Sequence, residues 1–205
     1  MQPLPCSKEV LVFRGRPVMD YLLDRMEAVP CAEIRVVTRP EKRDVASHAR
    51  ERGARVVEAR PASVGESLMA GGEGLADDRI IVFGFPDTLW EPLDGFARLV
   101  SKLGDDVDAA LGVFRGLEPR RSDVVELAGD RVAAVDVKPE QPRSDLVWGC
   151  AAVRAATLRL LGPEPGLWFD RLARQGRVAA VRLEDPFVDI GTPEALARYG
   201  VSAEA

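Results

Sequence analysis

An α/β sheet with an antiparallel addition is the architecture this sequence predicts. Three observations carry the expectation. Apolar, strand-like runs alternate with helical patterns from Pro17 to Phe114. The stretch from Asp123 to Val153 is instead rich in strand patterns and holds a hairpin signal at Ala128-Gly129-Asp130. The chain, at 205 residues, is long enough to bury one substantial core.

Pro17 suits the first turn of a helix, and Val18, Met19, Leu22, Leu23 and Met26 give that helix an apolar stripe. Residues 33–38 read as a short strand that Pro40 ends, followed by a polar helix to about Arg52. Residues 54–59 read as a strand. Residues 63–75 read as a helix, although Gly65, Gly71, Gly72 and Gly74 each weaken it. Residues 79–83 form the clearest buried strand, 92–103 an amphipathic helix and 108–114 another strand. In the second half, 123–127 and 131–137 flank the hairpin turn. Strand 146–153, helix 155–161, strand 177–183 and helix 193–199 follow, and the end beyond Gly200 is expected to fray.

Composition excludes several classes. The chain is 46% hydrophobic and 30% charged, which suits a folded enzyme and not a disordered segment. A net charge of −5 argues against wholesale nucleic-acid binding, so an anionic substrate would need a local basic patch. No apolar run approaches a membrane span, and the N-terminus has no signal-peptide pattern. Cys6, Cys31 and Cys150 are odd in number and widely spaced. They read as reduced thiols of a cytoplasmic protein, not as a disulfide frame or zinc site. The lone His48 lies in a charged helical stretch and reads as a solvated residue.

Two acids stand out. Asp87 follows the run Ile80-Ile81-Val82-Phe83-Gly84-Phe85-Pro86, and Asp189 follows Phe187-Val188. Each reads as a turn residue after a strand. Two such acids at the ends of neighbouring strands can hold one Mg²⁺ over a bound phosphate. With Lys8 and Lys138 they suggest nucleotidyl transfer.

The motifs Leu4-Pro5-Cys6-Ser7-Lys8-Glu9-Val10-Leu11, Arg14-Gly15-Arg16-Pro17-Val18-Met19-Asp20, Gly84-Phe85-Pro86-Asp87, Val137-Lys138-Pro139 and Asp189-Ile190-Gly191-Thr192-Pro193-Glu194 resemble, in order and spacing, those of the sugar-phosphate nucleotidyltransferases. That family includes glucose-1-phosphate thymidylyltransferase and uridylyltransferase. The resemblance runs over nearly the whole chain. It implies a single domain with a Rossmann-like, mixed and mostly parallel sheet between helices, of the nucleotide-diphospho-sugar transferase type. It implies transfer from a nucleoside triphosphate, dTTP or UTP first, to a sugar 1-phosphate with Mg²⁺ as cofactor. Neither nucleic acid nor membrane is an expected partner, and a homo-oligomer remains open.

The resemblance also assigns roles. Asp87 and Asp189 match the metal-binding acids; the plainer readings are a turn residue capping the next helix and a turn acid before a helix that Thr192 caps and Pro193 starts. Lys8 matches the lysine that meets the triphosphate, against a solvated terminal lysine. Lys138 matches the lysine on the sugar phosphate, against a surface lysine before Pro139. Gly84 and Gly149 fall on segments that line the substrate cleft, and Trp148 beside Gly149 on the strand of the sugar pocket. The family usually carries an acid for sugar hydroxyls just before its second lysine. Here that residue is Val137, with Asp136 one place earlier on the opposite face. Gly65-Glu66-Ser67-Leu68 falls where the family contacts the base, although a helix start accounts for it as well.

One departure is large. The family opens with a buried strand and a glycine-rich phosphate loop, and Met1 lies about where that loop finishes. An in-frame upstream extension of roughly twenty residues is therefore expected, and the chain as numbered is expected to release little pyrophosphate. Two other classes stay open: a non-catalytic relative that binds a nucleotide or partner, and a metal-dependent glycosyltransferase. The Pro86-Asp87-Thr88 sequence disfavours the latter, which usually carries Asp-x-Asp.

Overall fold

The structure is a computed structural model that describes residues 6–190. A short hairpin opens it. β1 (Val12–Phe13) and β2 (Arg16–Pro17) pair antiparallel around Arg14 and Gly15, both with positive φ. The helix expected after Pro17 follows as α1 (Val18–Glu27), with Val18, Met19, Leu22 and Leu23 buried. Next come β3 (Arg35–Thr38), α2 (Arg43–Glu51), β4 (Arg55–Glu58) and α3 (Val64–Gly71). At the start of α3 the Ser63 side chain accepts from the Glu66 amide, and the Glu66 carboxylate accepts from the Ala62 amide at 2.7 Å. This reciprocal cap explains why the helix forms despite its glycines. The Gly65-Glu66-Ser67-Leu68 segment is thus a capped helix start, with Gly65 lying against the Gly162 carbonyl.

The chain continues through β5 (Ile80–Gly84), β6 (Thr88–Glu91), α4 (Gly95–Val100) and β7 (Ala109–Arg115). β8 (Val124–Ala128) and β9 (Arg131–Asp136) form the expected hairpin. β10 (Leu146–Arg154), α5 (Ala155–Leu158), α6 (Pro165–Ala173), β11 (Val178–Arg182) and β12 (Glu184–Asp189) complete it. The helix expected at 193–199 lies outside the described residues.

The main sheet has six strands in the order β5-β10-β7-β11-β9-β8. β10 runs antiparallel to both β5 and β7, and β11 is parallel to β7. β5, β7 and β11 therefore point one way, and their carboxyl ends share an edge. The sheet is mixed, as expected, but among the described residues parallel ladders are confined to β7–β11 and to the separate pair β3–β4. β10 enters between two strands that point together and replaces a parallel contact by two antiparallel ones. Among the described residues β3 and β5 each pair on one side only.

Both faces of the sheet are covered, which accounts for its nearly continuous apolar strands. Leu111, Val113, Ala151 and Val153 pack with Trp148, Trp168 and Phe169 on one face. Ala110, Phe114, Cys150 and Ala152 pack with Leu22, Trp90, Phe96 and Leu99 on the other. Alternate residues of one strand feed opposite cores. Small residues make room: a Cβ on Gly112 would lie 2.4 Å from the Cys150 sulfur. All three thiols are free, and burial pushes that of Cys150 far up.

Four elements depart from expectation. β6 and β12 pair with each other outside the main sheet. α6 occupies a stretch with no helix expected. The helix expected over 92–103 is only Gly95–Val100. His48 is also not simply solvated. Its Nε2 lies 2.6 Å from Asp20 Oδ1, where Arg52 also binds at 2.8 Å, tying α2 to α1.

Candidate active site at the carboxyl edge of the sheet

β5 ends at Gly84, and the chain turns through Phe85, Pro86 and Asp87. The Thr88 amide and hydroxyl both donate to the Phe85 carbonyl, at 3.2 and 2.8 Å, and close the turn. β6 then runs antiparallel to β12, with Thr88 opposite Asp189 and Leu89 opposite Val188. The Ile190 amide donates to the Asp87 carbonyl at 2.8 Å. Asp87 and Asp189, far apart in sequence, are thus cross-strand neighbours. Asp87 occupies a turn, as expected; Asp189 does not, being the last residue of β12.

Lys8 joins them. It starts a 3₁₀ turn, Lys8–Val10, and its Nζ donates to Asp87 Oδ2. Burial alone would lower the ammonium's pKa; Asp87 by charge and hydrogen bond, then Glu9 and Asp189, outweigh that and raise it. The backbone here is clamped on both sides. Ser7 donates its amide and hydroxyl to Asp44 of α2, at 2.7 and 2.9 Å, and Glu9 binds Lys42 Nζ at 2.5 Å.

The donor set can be tested against a metal. Asp87, in the turn after β5, and Asp189, at the end of β12, both act on the Lys8 ammonium. Among the described residues no cluster of three or more His, Cys, Asp or Glu offers a fuller cage. Mg²⁺ commonly takes one or two protein carboxylates and completes its shell with water and phosphate oxygens. The residues fit that ion.

A cavity of about 130 Å³ adjoins this cluster, lined by Glu9, Thr38, Arg39, Lys42, Pro61 and Pro86 among others. Glu9 and Pro86 are the chain neighbours of Lys8 and Asp87. Glu9 Oε2 and Thr38 Oγ1 are buried there without a hydrogen-bond partner. Such buried polar atoms normally find one.

Lys138 belongs to a second group. It has φ 42°, a left-handed conformation unusual for a non-glycine residue and more so before a proline. Its neighbour is Asp123, which no sequence motif singles out. Asp123 Oδ2 accepts from Trp148 Nε1 at 3.2 Å, while Oδ1 is buried without a partner at hydrogen-bonding geometry. Burial lifts the Asp123 carboxyl above the ordinary range; Trp148 and the charge and amide of Lys138 pull the other way, and Glu164 adds to the rise. Phe85 packs on Trp148 at 5.7 Å between centroids, so the indole joins the Asp87 turn to Asp123.

An acid held upward in this way binds its proton more tightly in the folded chain than in the unfolded one. Its contribution favours the fold at low pH. That contribution is lost as pH rises from the ordinary carboxylate range through the raised value. Asp123→Asn keeps an acceptor for Trp148 and cannot ionise, so it is expected to remove this fall. Urea midpoints of the two proteins at pH 4 and pH 7 check it: the variant gains on the unaltered chain only at pH 7.

Three residues expected to meet the substrate are placed differently. Gly84 faces the core: a Cβ there would lie 2.9 Å from Leu22 Cδ1. Gly149 admits the Phe187 ring, which a Cβ would meet at 2.2 Å. Asp136 is exposed at the end of β9 and acts on Arg174, second to Asp170. Asp123 is the acid beside Lys138. Val124 pairs with Asp136, so the next step of that ladder sets Asp123 across from Val137.

Comparison with known proteins bears on the family and the fold. Residues 4–164 match the MobA-like NTP transferase domain. A Bacillus anthracis protein assigned as a glucose-1-phosphate thymidylyltransferase, solved with sucrose, superposes with a TM-score of 0.81. The match covers 95% of this chain and 85% of that one, at 16% identity. A search of curated proteins finds no match.

Proposed function

Because the chain belongs to the MobA-like NTP transferase domain family, we propose that it joins a nucleoside triphosphate to a sugar 1-phosphate and releases pyrophosphate. dTTP and UTP are the first nucleotides to try, and a hexose 1-phosphate the first acceptor. The observation that carries this reading is the convergence of Lys8, Asp87 and Asp189 at the carboxyl edge of the sheet.

The chemistry needs little beyond placement. An acceptor phosphate oxygen attacks the α-phosphorus in line while pyrophosphate leaves. Both reactants are polyanions and repel each other. Lys8 would meet the phosphates of the nucleotide and steady the departing pyrophosphate. Lys138 would place the sugar phosphate, with Asp123 as the nearest acid to the sugar. Asp87 and Asp189 would hold a Mg²⁺ ion, which when bound supplies charge neutralisation at the reacting phosphate. No general base is required, because the attacking phosphate is already ionised at neutral pH. Positioning and electrostatics carry such transfers. The absence of histidine from the cluster therefore does not weaken the reading.

No helix among the described residues is long and apolar enough to cross a membrane, and we place the reaction in the cytoplasm, acting on free metabolites. Pyrophosphate release, measured over a panel of nucleoside triphosphates and sugar 1-phosphates, tests the function. Release, weak as expected from the chain as numbered, should require both substrates. Release from triphosphate alone would discard the reading.

A further inference from the structure

Lys8 has a place in this cluster that a phosphate-binding lysine does not need. Its ammonium is not held out to solvent for an anion. It is bonded to Asp87, and Asp189 is close enough to act on it as well. The two carboxylates therefore already have a cation, and it belongs to the protein.

The surroundings say which part can move. Ser7 and Glu9, on either side of Lys8, are tied to Asp44 and Lys42. The backbone of the 3₁₀ turn is thereby anchored to α2. The Lys8 side chain is 38% exposed, against 16% for that of Asp87. A flexible, partly solvated side chain on a clamped backbone can leave Asp87 by rotation alone.

We propose that Lys8 is the resident counter-cation of the Asp87–Asp189 pair, and that a divalent ion enters this site only by exchange with it. The proposal rests on the metal reading given above. With Lys8 in place the three groups sum to a formal charge of −1, which repels a bare polyphosphate. Exchange for a dication balances the carboxylates and leaves the ammonium free beside them. The anion-binding lysine thus becomes available only when the metal arrives. The substrate that fits such a site is a polyphosphate already carrying its divalent ion, not a metal-free one.

Titration calorimetry of the full chain with Mn²⁺ alone tests the exchange. Lys8→Met and Lys8→Gln are both expected to bind Mn²⁺ about ten-fold more tightly than the unaltered chain, equivalent to about 1.4 kcal/mol. Lys42→Met removes an equal charge that pairs with Glu9 instead, and is expected to change the affinity less than two-fold. Asp87→Asn, placed in the Lys8→Met background, is expected to abolish the gain. If neither Lys8 variant binds more tightly, or Lys42→Met tightens binding equally, the exchange is wrong while the metal reading stands. If Asp87→Asn leaves the Mn²⁺ affinity of Lys8→Met unchanged, the metal site is elsewhere and both ideas fall. Circular dichroism of each variant confirms the fold, and the Gln variant serves if the Met variant does not fold.

Discussion

Asp87→Asn is expected to lower kcat at least about a hundred-fold in any form of the protein that releases pyrophosphate, while leaving the fold nearly as stable. The contrast follows from what Asn keeps. The turn is closed by Thr88 on the Phe85 carbonyl, and the Ile190 amide binds the Asp87 backbone, not its side chain. Neither depends on the carboxylate. The ion pair with Lys8 is lost, but that lysine is partly exposed and can turn to water, so the stability cost is at most about 1 kcal/mol. What disappears is the charge that would hold a divalent cation. Initial rates and urea midpoints measured on the same preparation decide the matter. Equal losses in both would assign Asp87 a structural role.

Trp148→Ala is expected to act in the opposite sense, on the fold first. The indole is 7% exposed and packs edge-on against Phe169 at 5.1 Å and Phe83 at 6.4 Å between ring centroids. Removing a buried tryptophan costs about 3–5 kcal/mol, a large share of the stability of a typical domain. It also leaves Asp123 Oδ2 without its donor, as Oδ1 already is. Trp148→Phe restores most of the packing but not the N–H, and about 1–3 kcal/mol of the loss should remain. Denaturant unfolding of both variants separates the two contributions. If Phe costs as much as Ala, the hydrogen bond to Asp123 dominates; if it costs nothing, packing accounts for everything.

The strands at 80–84, 109–115 and 146–154 were legible in the sequence because a sheet covered on both faces needs continuous apolar runs. The hairpin at 128–131 was legible because Gly129 supplies positive φ at the turn. β6 was not, since four residues after a Pro-Asp turn carry no periodic signal and its partner is distant in the chain. α6 has buried Trp168, Phe169 and Ala173 at helical spacing, but Gly166 in its first turn obscured the pattern. Asp123 shows a subtler limit. Counted back from the turn without interruption, β8 and β9 would set Asp123 opposite Asp136. A bulge between Glu126 and Leu127 shifts the register by one. That shift carries Asp123 across from Val137, where both side chains approach Gly166. One inserted residue decides which acid stands beside Lys138, and no local signal in the sequence announces it.

The pairing of β6 with β12 has a consequence for the order in which the protein assembles. Hairpins and neighbouring elements form early because little chain entropy is lost in closing them. A contact between Thr88 and Asp189 closes a loop of roughly a hundred residues and is among the last to become favourable. The six-stranded sheet can be complete while the two acids are still apart. Chains at that stage would have native helices, a native main sheet and the aromatic core around Trp148, with no place for a cation. Refolding followed by far-ultraviolet circular dichroism should therefore finish before Mn²⁺ binding returns.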